Sequence, residues 1–162
     1  MLNITIRRPT LDDKEKLHDF SQLAITDTFL KEGIDKNTYD LEDEIETKKK
    51  YLQLDLDSNG IQRYFLIAEL DGNIVGTIEY GKSSDLISSC TNGELGHLVE
   101  LGTAFVKPDL QNQGIGSLLL RAMDDKMLER GIVEYCLDSG YSNAQKIWTK
   151  KFLWTFIWKS IR

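Results

Sequence analysis

The chain has 162 residues, 41% of them hydrophobic and 28% charged, which is the length and balance of one water-exposed domain spanning 1–162. A net charge of −6, with no basic stripe interleaved with aromatics, excludes nucleic acid as the default partner. No apolar run of membrane length, no leader and no dense cysteine framework is visible, so the expected setting is the cytoplasm with no membrane partner.

Ile4 to Arg8 alternates apolar and polar residues as a short strand does. Pro9 to Asp13 then turns into a helix that Thr10 or Asp12 could cap. Leu17, Phe20, Leu23, Ala24 and Thr28 give that helix one face as far as Phe29 or Leu30. A loop around Gly33 to Asn37 leads to a second helix over Leu41 to Leu54, whose acidic and Lys48–Lys50 runs read as solvated surface. After the Asp57–Gly60 turn, Arg63 to Leu70 and Asn73 to Tyr80 read as a hairpin joined by Asp71-Gly72, a pair suited to a type I′ turn. Lys82 to Gly96 is polar and reads as an exposed loop that could lie over a site.

The stretch from His97 to Phe105 is apolar and strand-like. Pro108 ends it, because proline cannot continue a ladder. Gln111-Asn112-Gln113-Gly114-Ile115-Gly116-Ser117 then opens a helix marked by Leu118 to Leu120, Met123 and Met127, and Gly131 stops it. The first amides of a helix lack partners inside it, and the macrodipole places partial positive charge at the same end. A glycine turn leading into a helix therefore suits a phosphate or diphosphate. The dinucleotide fingerprint would need a glycine at Leu119, and no P-loop Gly-Lys-Ser/Thr follows the spacer. Ile132 to Leu137 reads as another strand, Ser142 or Asn143 caps a short helix to about Lys150, and Phe152 to Lys159 alternates aromatics as a strand does. Cys90 and Cys136 make no metal spacing, and Cys136 reads as a buried free thiol.

Gln111 to Gly116, preceded by Val106-Lys107-Pro108, resembles the Gln/Arg-x-x-Gly-x-Gly/Ala signature of the GCN5-related N-acetyltransferases. The order of elements is similar to that α/β fold over nearly the whole chain. The resemblance implies a mixed central sheet flanked by helices, with the fourth and fifth strands, about 97–106 and 132–137, splayed apart. It also implies acetyl-coenzyme A as cofactor. Its diphosphate would lie on Gln111, Asn112, Gln113, Gly114, Ile115, Gly116 and Ser117, its pantetheine arm along the backbone of Ala104, Phe105 and Val106, and Asn143 would make a further contact.

Transfer of an acetyl group to an amine needs a deprotonated amine and a stabilised carbonyl oxygen. Glu100 is the candidate base, against an ordinary strand carboxylate. Period-two spacing puts Glu100, Gly102, Ala104 and Val106 on one face. Trp148 stands where the family often carries a tyrosine acid, so Tyr141 is the candidate acid, against a structural aromatic. The resemblance implies an acceptor pocket at about residues 27–40, where Asp27, Glu32, Asp35 and Asp40 are acidic, so the acceptor is expected to be a small cationic amine or a protein amine. The tail lacks the family's Gly-Phe and holds only one strand's worth of chain, so a truncated or frame-altered C-terminus is expected. The aromatic strand would then be an edge open to a second copy, as in a homodimer. A cofactor-binding sensor without catalysis is the competing reading, and a nucleotide-binding regulatory domain a third.

Overall fold

The computed structural model describes residues 2–33, 39–83, 96–137 and 158–160. The expected helix at 142–150, with Tyr141, Asn143 and Trp148, lies outside the described residues, as do residues 84–95 of the polar loop and 152–157 of the aromatic stretch. The elements are β1 (Thr5–Arg7), α1 (Lys14–Lys31), α2 (Tyr39–Ser58), β2 (Arg63–Leu70), β3 (Asn73–Lys82), β4 (Val99–Val106), α3 (Ile115–Glu129), β5 (Glu134–Cys136) and β6 (Trp158–Ser160). The strands form one sheet in chain order, antiparallel throughout except for the parallel pair β4–β5. The mixed α/β architecture is the expected one.

Alternation along the hairpin decides what each face meets. Tyr64, Leu66, Ala68, Ile78 and Tyr80 pack with Ile115, Leu119, Met123 and Met127 of α3. Phe65 and Ile67, on the opposite face, pack with Leu17 of α1 and Leu52 of α2. With both faces covered, Arg63 to Ala68 is buried without a break. The turn is type I′ as expected, with φ of 50° at Asp71 and 79° at Gly72. Gly131, at φ 77°, ends α3, and the Ile132 amide donates to Met127 O at 2.8 Å.

Two helical expectations need correction. Leu23 is 48% exposed, whereas Ile25 and Phe29 are buried. A single apolar stripe is the wrong template there, because α1 touches α2 on one side and β3 and β4 on another. Thr10, one of the two expected caps, is the N-cap of the 3-10 turn Leu11–Asp13 that runs into α1, and it closes a capping box with Asp13. The Thr10 amide donates to Asp13 Oδ2 at 2.7 Å, and its hydroxyl donates to the same oxygen at 3.2 Å. The second difference is the end of α2, which runs beyond Leu54 to Ser58 and so includes the fully buried Asp55.

Asp13 also receives a two-pronged hydrogen bond from Arg7 at 2.8 and 2.9 Å. The guanidinium lowers the Asp13 carboxyl from the ordinary 3.8 to about 2. A carboxyl depressed in the folded state contributes stability above its unfolded value and loses it as pH falls through the folded one. We expect up to about 2 kcal/mol to be lost between roughly pH 4 and pH 2. Melting temperatures of wild type and Asp13→Asn from pH 6 to pH 2 check this. The variant should start lower and lose less on acidification.

Candidate active site

The glycine turn is built by the end of β4 and the start of α3. The Lys107 amide donates to Val75 O at 2.8 Å, and Pro108–Leu110 forms a single 3-10 turn. Asn112 (φ 62°) and Gly114 (φ 87°) then reverse the chain into the helix. The first intrahelical bond runs from the Leu118 amide to Gly114 O at 3.0 Å, so the amides before it belong to the open helix start. Gln111 to Gly114 are exposed and Gly116 and Ser117 half-buried, as a backbone cradle requires. Ile115 is buried at 1% exposure, so only its main chain can serve a ligand.

Why the helix start sits so close to the sheet is answered on β3. A Cβ on Gly76 would meet Leu119 Cδ1 at 2.8 Å and Phe105 O at 3.2 Å. Gly116 has no such constraint, since a Cβ there would meet only Val106 Cγ2 at 3.7 Å. Gln111 braces the turn by donating to Val106 O at 3.3 Å and accepting from Lys31 Nζ at 3.1 Å. Lys31 is also paired with Asp27 at 2.8 Å, so the charge of Asp27 is partly offset.

Beside the turn the sheet opens. β4 pairs with β5 only at Val99–Tyr135 and Glu100–Cys136. From Leu101 to Val106 its outer edge has no strand partner among the described residues. This is the expected splay, and Ala104 is exposed along it. Glu100 is half-buried at the point where the two strands part. The Cys136 thiol beside it is pushed up to about 11, first by burial and then by the charge of Glu100, so it is protonated and unreactive at neutral pH.

The expected shared face of Glu100, Gly102, Ala104 and Val106 does not exist. Two pairs, Thr77–Phe105 and Glu79–Gly102, bracket an extra residue in β4. This bulge inverts the alternation. Glu100, Gly102 and Phe105 look toward α1 and α2 by register, whereas Val106 joins Leu101 on the α3 face. The bulge centres on Thr103, which is 4% exposed and holds φ at 48°. A β-branched residue there is strained by about 1–3 kcal/mol.

Two hydrogen bonds hold that conformation. Thr103 Oγ1 donates to Glu79 Oε1 at 3.0 Å, and Thr77 Oγ1 donates to Thr103 O at 2.7 Å. Glu79 is 1% exposed and takes its countercharge from Arg63 Nη1 at 3.0 Å. Arg63 in turn lies over the Tyr51 ring at 3.6 Å and crosses Gly81, where a Cβ would sit 2.3 Å from its Cδ. Sequence reasoning missed Glu79, Arg63 and Thr103. Gly81 and Gly102 were the available signal, since a glycine inside a strand marks a bulge or a close approach. No group of three or more acidic, histidine or cysteine side chains arranged to hold a metal occurs among the described residues. None of the described helices is long and apolar enough to cross a membrane.

The model of the acetyltransferase (GNAT) family matches residues 23–152. Among solved structures, the chain is similar to the PaiA N-acetyltransferase of Thermoplasma acidophilum, in complex with coenzyme A. Identity is 24% and the TM-score 0.73, over 93% of this chain and 89% of that one. It is also similar to a GNAT family acetyltransferase of Brucella melitensis in complex with acetyl-CoA, at 17% identity and TM-score 0.62, over 100% of this chain and 90% of that one. No curated protein matches.

Proposed function

Because this chain belongs to the acetyltransferase (GNAT) family, we propose that residues 1–162 form one domain that moves an acetyl group from acetyl-coenzyme A to a primary amine. The observation that carries the reading is the glycine turn of Gln111 to Ser117 set beside the edge of Ala104 to Val106, which has no strand partner among the described residues. The turn offers a positive helix start to a diphosphate, and the edge offers main-chain groups to an amide-bearing arm. Asn143 adds a contact to the donor.

Glu100 is the base. It takes the proton of the bound ammonium, directly or through one water, as the amine nitrogen attacks the thioester carbonyl. The C–N bond forms, the C–S bond breaks and the thiolate leaves; Tyr141 is the acid that protonates it, and the second proton shed by the nitrogen as the amide forms restores Tyr141 through solvent. The acceptor is a small cationic amine of the polyamine kind or a protein amine, since the protein carries −6 and Glu100 faces the side of α1 and α2. The setting is the cytoplasm. A second copy pairs at β6, the end strand of the sheet.

Turnover tests the reading. Wild type with acetyl-coenzyme A and a panel of polyamines, lysine peptides and peptide N-termini should release free thiol. Coenzyme A binding without thiol release across the panel would overturn it in favour of a sensor. Glu100→Gln should lower kcat/KM by roughly 10²- to 10⁴-fold near neutral pH. That loss should narrow at alkaline pH, where the amine deprotonates without help.

A further inference from the structure

The strained bulge of β4 is held by side chains of β3, not by main-chain pairing alone. A strand paired with β3 throughout would need no positive φ, no buried carboxylate and no buried arginine. Glu79 and Thr77 instead hold Thr103 from β3, with Arg63 of β2 bonded to Glu79, and the segment so displaced runs directly into Ala104 to Val106, the edge without a strand partner among the described residues. The bonds to Thr103 come from side chains whose backbones lie in the uninterrupted β2–β3 pairing of this region, so the anchor is stiffer than the edge it holds. The close approach is built in on both sides. Glu79 Oε1 lies 3.0 Å from where a Cβ of Gly102 would be, and Arg63 occupies the space a Gly81 side chain would take.

We infer that Glu79 is a positioning residue for acetyl transfer, acting through the hydroxyl of Thr103 to fix the β4 bulge and so the edge at 104–106 that receives the arm of the donor. This rests on the donor site proposed above. Glu79 itself touches no reacting atom: its two oxygens are engaged by Thr103 and Arg63. Its charge orients the hydroxyl, because an ionised carboxylate can only accept. The bond is charge-assisted.

Two ligands separate this role from simple support of the fold. Adenosine 3′-phosphate 5′-diphosphate carries the diphosphate that the glycine turn holds, but no arm. Coenzyme A carries both. Thr103→Val keeps the branched shape and removes the hydroxyl. It should weaken coenzyme A binding and raise the KM for acetyl-coenzyme A at least tenfold, while binding of the nucleotide diphosphate and the KM of the amine stay within twofold of wild type. Thr103→Ser, which restores the hydroxyl, should recover coenzyme A binding to within about threefold. Glu79→Gln, the same shape without the charge, carries the same two-ligand comparison should Thr103→Val fail to fold; where both fold, adding Thr103→Val to Glu79→Gln should cost little more. Equal losses for both ligands, or unchanged coenzyme A binding in Thr103→Val, would overturn the inference. Wild type binding neither ligand would overturn the donor site, and this role with it.

Discussion

Gly114→Asp should weaken coenzyme A binding about 100-fold and leave the melting temperature of the free protein within a few degrees of wild type. The two effects separate because they arise from different physics. In the free protein, an aspartate at the position before α3 meets opposing forces. Gly114 holds φ at 87°, where an L side chain costs about 1–2 kcal/mol. A carboxylate at a helix N-terminus returns about 0.3–1 kcal/mol through the dipole and can cap an amide. No atom lies within 4 Å of the added Cβ, so there is no clash to add. A net loss near 1 kcal/mol moves the midpoint by roughly 2–4 °C in a chain of this size.

In the complex the terms reinforce. The new charge faces a diphosphate across the same few ångströms and competes for the amides that would have held it. Like charges brought together in a site cost several kcal/mol, and each 1.4 kcal/mol is about tenfold in affinity. Gly114→Ala is the control, because it carries the strain without the charge and should weaken binding only a few-fold. Titration calorimetry of the three proteins measures the difference. Salt should narrow it, since screening acts on the charge and not on the strain. An unchanged dissociation constant in Gly114→Asp would mean that the turn does not hold the diphosphate.

The conformation of the glycine turn was legible because glycine and proline report main-chain geometry directly. Gly114, Gly131 and Asp71-Gly72 all adopt the positive φ that their residue types imply. The hairpin and the order of the described elements followed from the same punctuation and from period-two alternation. The face of Glu100 was not legible, because alternation holds only while the ladder is unbroken. Thr103 is among the residues least suited to a positive φ, so nothing local announces the bulge. Its cause lies in Glu79 and Arg63, which are 24 and 40 residues away in sequence. Charged residues inside a strand pattern read as solvent-facing, yet Arg63 and Glu79 compensate each other in the interior. The same blindness shortened α2. An aspartate after Leu54 looks like the polar end of a helix, whereas Asp55 is the residue that the last turn exists to place.

Asp55→Ala should be the most destabilising single change among these. Asp55 is fully buried and receives three hydrogen bonds, from Arg8 Nη1 at 2.6 Å, Arg8 Nη2 at 2.7 Å and the Phe65 amide at 2.5 Å. It thereby ties the last turns of α2 to β2 and to the segment after β1. Removing one member of a buried ion pair typically costs about 3–5 kcal/mol, because the other charge stays behind. Arg8 is 29% exposed and can turn partly to water, which favours the low end. The Phe65 amide has no such recourse. A loss of about 3 kcal/mol corresponds to roughly 6–12 °C in melting temperature. Asp55→Asn should lose less, since an amide oxygen can still accept from Phe65. Adding Arg8→Met to Asp55→Ala should recover part of the loss, because the stranded charge goes with it. Arg8 also covers the Tyr64 ring, 4.2 Å from its centroid, and methionine keeps that cover. Thermal melts of the four proteins decide it: equal midpoints for wild type and Asp55→Ala would refute the tie, and no recovery in the double variant would place the loss in the amide instead of the charge. Below its midpoint, Asp55→Ala should still bind coenzyme A like wild type. The Gly76 packing that seats the glycine turn involves α3 and β3, none of which Asp55 contacts through these bonds.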